Sequence, residues 1–123
     1  MKIIKKYLIE RPIGMIRVPK DAVCLSASMD EFDRDEHGER VIVVWVMYDW
    51  TDPMPPKGSD EAWETRFIQC ATADSLFAPG QETWLRTGPN RGFIGSVRYE
   101  YANGQIGTYH LFESVGKPPK KEG

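Results

Sequence analysis

His110 is the residue of this chain best suited to acid–base chemistry. It lies in the stretch QIGTYHLFE, residues 105–113, three positions before Glu113. The period-two alternation of this stretch predicts a strand, in which His110 and Glu113 face opposite sides of the sheet. The two residues therefore cannot form a local acid–base pair, and a general base needs a partner that orients it. We interpret His110 as a half-buried histidine bonded to a neighbour; the alternatives are ligand contact and a His110-dependent hydrolase.

A second spacing is typical of metal sites. The run DRDEHG, residues 33–38, puts acidic residues and His37 at alternate positions before Gly38, as at the start of a calcium-binding EF-hand loop. That loop needs a bidentate glutamate at its twelfth position, where this chain has Val44 inside a predicted strand. We interpret the run as a solvated acidic hairpin. We expect neither a metal nor a cofactor, because the chain contains no other metal-binding or nucleotide-binding motif.

A third spacing is the G-x-x-G of RGFIGS, residues 91–96. In RNA-binding KH modules such a loop lies between helices and clamps the RNA backbone. Here the two middle residues, Phe93 and Ile94, are apolar and the flanking sequence is strand-like. Gly92 and Gly95 are therefore expected to permit a β-bulge or a close packing contact.

Tryptophans and arginines are the residues most suited to binding a partner. Three tryptophans lie in or beside predicted loops: Trp50, Trp63 and Trp84. Exposed aromatic residues anchor partners or subunit interfaces, but the same residues could plug the open ends of a small sandwich. Both interpretations stay open. Four arginines could contribute to an anion site, because guanidinium pairs bidentately with phosphate: Arg66, Arg86, Arg91 and Arg98.

The elements that position these residues are predicted to be β-strands. Alternating or β-branched segments, bounded by turn-forming residues, predict strands at 2–9, 14–18, 22–30, 40–49, 65–72, 82–87, 92–101 and 105–113. The third is expected to place Val23, Leu25, Ala27 and Met29 on one face. The fourth lacks polar alternation, so it is expected to be a central strand covered on both faces, with Trp45 in the core.

The connections complete the predicted fold. Residues 31–39 predict a hairpin longer than a two-residue turn, and Asn103-Gly104 predicts a second hairpin. Residues 50–60 read as a proline-rich loop, and Ser59 is a candidate cap for a short helical turn. The fold class is mainly β: a small antiparallel sandwich or barrel-like sheet of six to eight strands with at most one short helix.

Length, charge and cysteine content favour some classes of protein and disfavour others. The 123 residues fit one β-rich domain, 1–114, followed by a flexible basic tail, 115–123. A net charge of -2 disfavours binding to nucleic acid through its phosphates. Cys24 and Cys70 are interpreted as reduced and buried. The chain begins without a signal-peptide pattern, and its longest apolar run is too short to span a membrane, which favours a cytoplasmic protein.

Five motifs, in order, resemble a family of small uncharacterised bacteriophage and prophage proteins. They are IRVPKDAVCLS at 16–26, VWVMYD at 44–49, TRFIQCATA at 65–73, FIGSV at 93–97 and HLFE at 110–113. The chain departs from that pattern at Ala71-Thr72-Ala73, where the family has Gly-Thr-Gly. The resemblance implies a phage-encoded protein that acts in bacterial cytoplasm, and it implies no known activity or catalytic residues.

The resulting hypothesis is a non-enzymatic phage accessory protein, in the form of a homodimer, that binds and modulates a bacterial host protein. An inhibitor of a defence system, of the anti-CRISPR kind, would be one such protein. The expected interface is formed by the aromatic residues at the rim and by the loop 50–64. The alternative is a small-molecule sponge for a nucleotide signal, which would bind through arginines, aromatic residues and His110. An enzyme that uses His110 is the third hypothesis.

Overall fold

The structure is a computed structural model and describes residues 1–72 and 92–114. Seven β-strands form within these residues. They are β1 (Lys2–Ile9), β2 (Ile13–Pro19), β3 (Val23–Arg34), β4 (Arg40–Asp49), β5 (Trp63–Ala71), β6 (Gly92–Glu100) and β7 (Ile106–Ser114). The predicted strand 82–87 and the tail 115–123 lie outside the described residues. The mainly β prediction is confirmed.

The strands form two antiparallel sheets that pack face to face as a small sandwich. The first sheet has the order β1-β4-β3, and the second has the order β2-β5-β7-β6. The edge strand β3 of the first sheet lies beside β6 of the second, where a Cβ on Gly95 would be 3.8 Å from the backbone nitrogen of Ala27. Gly95 follows a register shift after Phe93, so the glycine pair of this segment serves a bulge and a close approach, as predicted.

Alternating residues of both sheets meet in one core. From β4, the side chains of Ile42, Val44, Val46 and Tyr48 are buried in it. The second sheet contributes Ile16, Val18, Ile68, Leu111, Val97 and Tyr99. Burial of aliphatic and aromatic side chains is the main stabilising term of such a sandwich, at about 1.5–3 kcal/mol for each large side chain.

The outer face of β4 differs from the prediction. The strand is central in its sheet, but Trp45 is 36% exposed, and Met47 is only partly buried. The prediction that β4 is covered on both faces is therefore wrong at Trp45 and Met47, although Val43 on the same side is 1% exposed. An unbroken apolar run does not distinguish a doubly covered strand from one whose outer face is apolar and open.

The predicted face of β3 is also wrong. Register shifts by one residue between Cys24 and Ser26, which makes Leu25 the extra residue of a β-bulge. Cys24, Ala27 and Met29 pack against the core, whereas Val23 and Leu25 are exposed. A bulge moves every residue before it to the opposite face, and the alternation alone contained no sign of it.

Both hairpins use the same turn. The amide of Gly38 donates to the Asp35 carbonyl, and Gly38 has φ of 79°. In the second hairpin the amide of Gly104 donates to the Tyr101 carbonyl, and Gly104 has φ of 87°. This is the three-residue hairpin loop in which a β-turn is followed by a glycine in the left-handed region.

The predicted helical turn at Ser59 is limited to one hydrogen bond, from the Trp63 amide to the Ser59 carbonyl at 2.9 Å. Within residues 1–72 and 92–114 the chain forms no helix. Accordingly, none of the described elements is a helix long and apolar enough to cross a membrane.

Candidate functional site

A charged cluster occupies one end of the sandwich interior. Arg66 of β5 is 7% exposed, and its guanidinium contacts Glu64 Oε2 at 2.9 Å and Glu113 Oε2 at 3.2 Å. It also donates to the Lys20 carbonyl at 3.3 Å. From the opposite sheet, the Cys24 thiol donates to Glu113 Oε2 at 3.0 Å. Arg66 is therefore a buried residue that donates to two carboxylates and a carbonyl, and its role in an anion site stays a prediction.

Both cysteines are poor nucleophiles. Burial raises the pKa of the Cys24 thiol to about 12, and the hydrogen bond to Glu113 adds to this shift. Burial raises the pKa of Cys70 to about 12 as well. Because the thiolate is the reactive form, neither residue has the chemistry of a catalytic cysteine. Both are free thiols, as predicted.

His110 lies on the outer face of the second sheet. Its Nδ1 is 2.7 Å from the Oγ of Ser96, the residue directly opposite on β6. Glu113 faces the interior with Arg66 and Cys24, so the prediction that His110 and Glu113 point to opposite sides is confirmed. No described carboxylate hydrogen-bonds to the other imidazole nitrogen, which a Ser–His catalytic pair would need for orientation. The half-buried, neighbour-bonded interpretation is the one that the structure supports.

The predicted tryptophans separate into different environments. Trp63 is 3% exposed, its indole nitrogen donates to the Pro55 carbonyl at 2.9 Å, and its ring meets Tyr48 edge-on. It fills one end of the core, which agrees with the second of the two interpretations left open by the sequence. Trp50 is 46% exposed and available to a partner. Trp84 and Arg91 lie outside the described residues, and Arg98 is exposed on β6.

The first sheet presents an exposed apolar surface that the sequence analysis did not identify. This outer apolar face consists of Ile4, Leu8, Val23, Leu25, Trp45 and Met47. Ile4, Met47 and Val23 are cross-strand neighbours and form one apolar rank across all three strands. Leu8 lies opposite Val43 further along the sheet. In the sequence, this face was indicated by the lack of polar residues at alternate positions of β4. In the structure, the apolar residues at those positions lie on the outer side of the sheet.

Ion pairs lie at one end of this face and across its middle. Lys2 Nζ pairs with Asp49 Oδ2 at 3.0 Å at the end. Lys6 lies between Ile4 and Leu8 on the same side of β1, opposite Trp45. Its Nζ is 3.2 Å from Asp30 Oδ2 and 3.6 Å from Asp33 Oδ2, and thus joins β1 to β3 across β4. The hydrogen bond to Asp30 raises the pKa of the Lys6 ammonium. The apolar rank of Ile4, Met47 and Val23 therefore has a charged residue on each side of it along β1.

A groove lined by three arginines and three acidic residues, called the arginine groove below, lies between the β1–β2 connection and the β3–β4 hairpin. Its volume is about 870 Å³, and Arg11, Arg34, Arg40, His37 and Tyr109 are among its lining residues. Acidic residues also line it: Glu10, Asp35 and Glu36. None of the three arginines belongs to the predicted anion site. The sequence signal for two of them is their position, since Arg34 lies inside the predicted hairpin 31–39 and Arg40 directly follows it.

The groove is built on a cluster of tyrosines. The Arg11 guanidinium lies 4.4 Å from the centre of the Tyr99 ring and 5.3 Å from that of Tyr109, and its Nη1 donates to the Tyr109 hydroxyl at 2.9 Å. Tyr101 and Tyr109 share a hydrogen bond of 2.9 Å. The Tyr99 hydroxyl donates to the Arg40 carbonyl, which fixes the backbone of the hairpin above it.

The acidic hairpin has no described metal site. Asp35 Oδ1 accepts hydrogen bonds from the amides of His37 and Glu39, at 2.8 and 2.9 Å, and so stabilises its own turn. Among residues 1–72 and 92–114 no three histidine, cysteine or acidic side chains are grouped to hold a metal ion.

Compared with protein-family models, with curated proteins and with solved structures, the chain shows no match.

Proposed function

We propose that the chain is a non-enzymatic binding protein that occupies a bacterial host protein through its outer apolar face. The observation that carries this proposal is the apolar rank of Ile4, Met47 and Val23 on the open side of the first sheet. The resemblance to phage proteins supplies the setting, which is an accessory protein in the bacterial cytoplasm that modulates a host factor such as a defence system.

The exposure of this face supports a macromolecular partner. Ile4 is 59% exposed and Val23 51%, and Trp45 adds a large ring beside them. Contiguous exposed apolar surface is uncommon on proteins that have no partner. Strands lie about 4.8 Å apart and same-face residues about 7 Å apart, so the face spans a few hundred Å². That area suits the core of an interface of about 800 Å² per partner, with Trp50 and the Lys2–Asp49 pair at its border.

The groups closest to a catalytic arrangement support a non-enzymatic role. The Ser96–His110 pair has no described acid behind it, and the Cys24 thiol is held protonated beside Glu113. The homodimer expected from the sequence stays a prediction.

A matched pair of isoleucines tests the proposal. Ile4 on the outer apolar face is 59% exposed, and Ile106 at the start of β7 is 55% exposed. The tagged wild type, Ile4→Lys and Ile106→Lys are used to capture partners from bacterial lysate, and the captured protein is then purified and titrated. Ile4→Lys is expected to weaken that binding about tenfold or more, because it places an ammonium group in the apolar centre. Ile106→Lys is expected to bind like the wild type.

Two results would overturn the proposal. One is equal weakening by both substitutions, which would indicate non-specific adhesion. The other is a dimer of the chain that Ile4→Lys alone dissociates, because the face would then belong to a second copy. The melting temperatures of both variants are measured first; surface substitutions of this kind shift stability by about 0.5 kcal/mol.

A further inference from the structure

We propose that the arginine groove binds a small phosphate-bearing anion, which Arg34 and Arg40 contact from the hairpin and Arg11 from the β1–β2 connection. This site is separate from the apolar rank of Ile4, Met47 and Val23, since the groove adjoins the opposite end of the first sheet. Its ligand class is the one expected of a nucleotide sponge, but its residues are different.

The β3–β4 hairpin carries two positive charges that face each other, which is an unfavourable arrangement. Arg34 and Arg40 are directly opposite each other in the β3–β4 ladder. Cα atoms in such pairs are about 4.5–5.5 Å apart, and like charges that face each other destabilise the sheet. Neither guanidinium forms an ion pair or a hydrogen bond within the part of the chain that the structure describes. An anion held between them would convert this repulsion into two charge-assisted contacts.

The acidic residues nearby are used elsewhere. Asp35 caps the hairpin through two backbone amides. Glu39 accepts a hydrogen bond from the Ala102 amide at 3.1 Å, and Glu36 lies 3.4 Å from His37 Nε2. None of these carboxylates forms an ion pair with Arg34 or Arg40 in the described residues, so both guanidiniums can contact an external anion.

Arg11 is held ready for such a ligand. Stacking against Tyr99 and the bond to the Tyr109 hydroxyl fix its guanidinium at the wall of the groove. A guanidinium has five N–H donors, and the Tyr109 hydroxyl takes one of them. A side chain fixed in this way loses little conformational entropy when it binds.

The shape and the charge of the groove select a small ligand. A volume of about 870 Å³ lies within the usual range of small-molecule sites, which is about 300–1,000 Å³. Three guanidiniums that converge on one groove suit phosphate oxygens, which accept bidentate contacts. Glu10 and Glu36 at the groove limit the basic surface, and a nucleic-acid backbone needs an extended one.

The test is a titration of the full chain with sodium pyrophosphate and with AMP, followed by NMR of the backbone amides in phosphate-free buffer. Sodium chloride at equal ionic strength is the control for screening. Saturable shifts are expected at residues 11, 34 and 40. The double variant Arg34→Gln/Arg40→Gln is expected to bind about tenfold or more weakly, because it lacks the charged donors. Arg98→Gln, which changes an exposed arginine on β6, is expected to bind like the wild type.

A second readout needs no ligand. Arg34→Gln alone is expected to raise the melting temperature of the ligand-free protein, since it removes the repulsion, whereas Arg98→Gln is expected to leave it unchanged. The proposal is overturned if neither phosphate gives a saturable shift, or if the double variant binds like the wild type. Saturation with pyrophosphate but not with AMP identifies an inorganic or terminal phosphate group as the ligand, and saturation with both identifies a nucleotide-sized ligand.

Discussion

At the scale of single residues, the buried charges of Arg66 and its partners have the most definite consequence. Arg66→Ala would leave Glu113 and Glu64 inside the sandwich without their cation. Breaking a buried ion pair from one side costs about 3 kcal/mol. We expect a loss of that size in the free energy of unfolding, measured by urea denaturation. Arg98→Ala, at an exposed position, is expected to change it by at most about 0.5 kcal/mol. Equal effects would show that the cluster is solvated.

The two described loop-side tryptophans give a second residue-scale prediction. Trp63→Ala removes a buried ring and its bond to the Pro55 carbonyl, and we expect a loss of about 3–5 kcal/mol in a thermal or urea melt. Trp50→Ala is expected to stay within about 1 kcal/mol of the wild type, because the side chain is half exposed. A mild effect of Trp63→Ala would mean that its ring does not support the core.

The sequence predicted side-chain orientation correctly where the spacing of two residues along one strand was sufficient to decide it. The opposite orientations of His110 and Glu113 follow from their separation by three residues in a strand. It did not determine that Arg66 and Trp63 are buried, because burial depends on which residue of another strand lies opposite. Glu113 reaches Arg66 only through the register of β5 and β7, which no local pattern contains.

At the scale of elements, the hairpin turns can be tested by glycine substitutions. Gly104 and Gly58 both have open space where a Cβ would be, but only Gly104 has a positive φ. Gly104→Ala is therefore expected to cost about 1–2 kcal/mol, the penalty of the left-handed region for an L-residue. Gly58→Ala is expected to be neutral or slightly stabilising. Urea denaturation of the two variants measures this; similar stabilities would contradict the assigned turn.

Most strands were predictable because strong alternation and turn residues bound them. Which side of each strand faces the core was less predictable. The bulge at Leu25 places Val23 on the outer side of the sheet. The apolar run of β4 gave no indication that Trp45 is partly exposed on that side. Both errors concern the outer apolar face, so the proposed site lies where local pattern and tertiary structure disagree.

At the scale of the whole molecule, the two-sheet core holds several acidic protons that the unfolded chain would release. Burial raises the pKa of Cys24 and Cys70 from 9.0 to about 12. The pKa of Tyr7 rises from 10.0 to about 12 through burial, and that of Tyr101 to about 12 through its bond to Tyr109. Each of these groups stabilises the fold below its unfolded pKa, and the stabilisation is lost as pH rises.

The expected result is a melting temperature that is constant between about pH 6 and 9 and falls steadily between about pH 9 and 12. In Cys24→Ala/Cys70→Ala the decline is expected to begin about one unit higher, at the unfolded pKa of tyrosine, because the thiols no longer contribute. Scanning calorimetry across this pH range measures both proteins. A melting temperature of the wild type that stays constant up to pH 11 would contradict the burial of these groups.

The central proposal is that this fold binds a bacterial host protein through its outer apolar face. Native mass spectrometry of the tagged chain, isolated gently from a bacterial host lysate, tests it most directly. The claim predicts an added mass equal to one whole host protein, present for the wild type and for Ile106→Lys and absent for Ile4→Lys. A bare chain in lysates of both uninfected and phage-infected cells would contradict it.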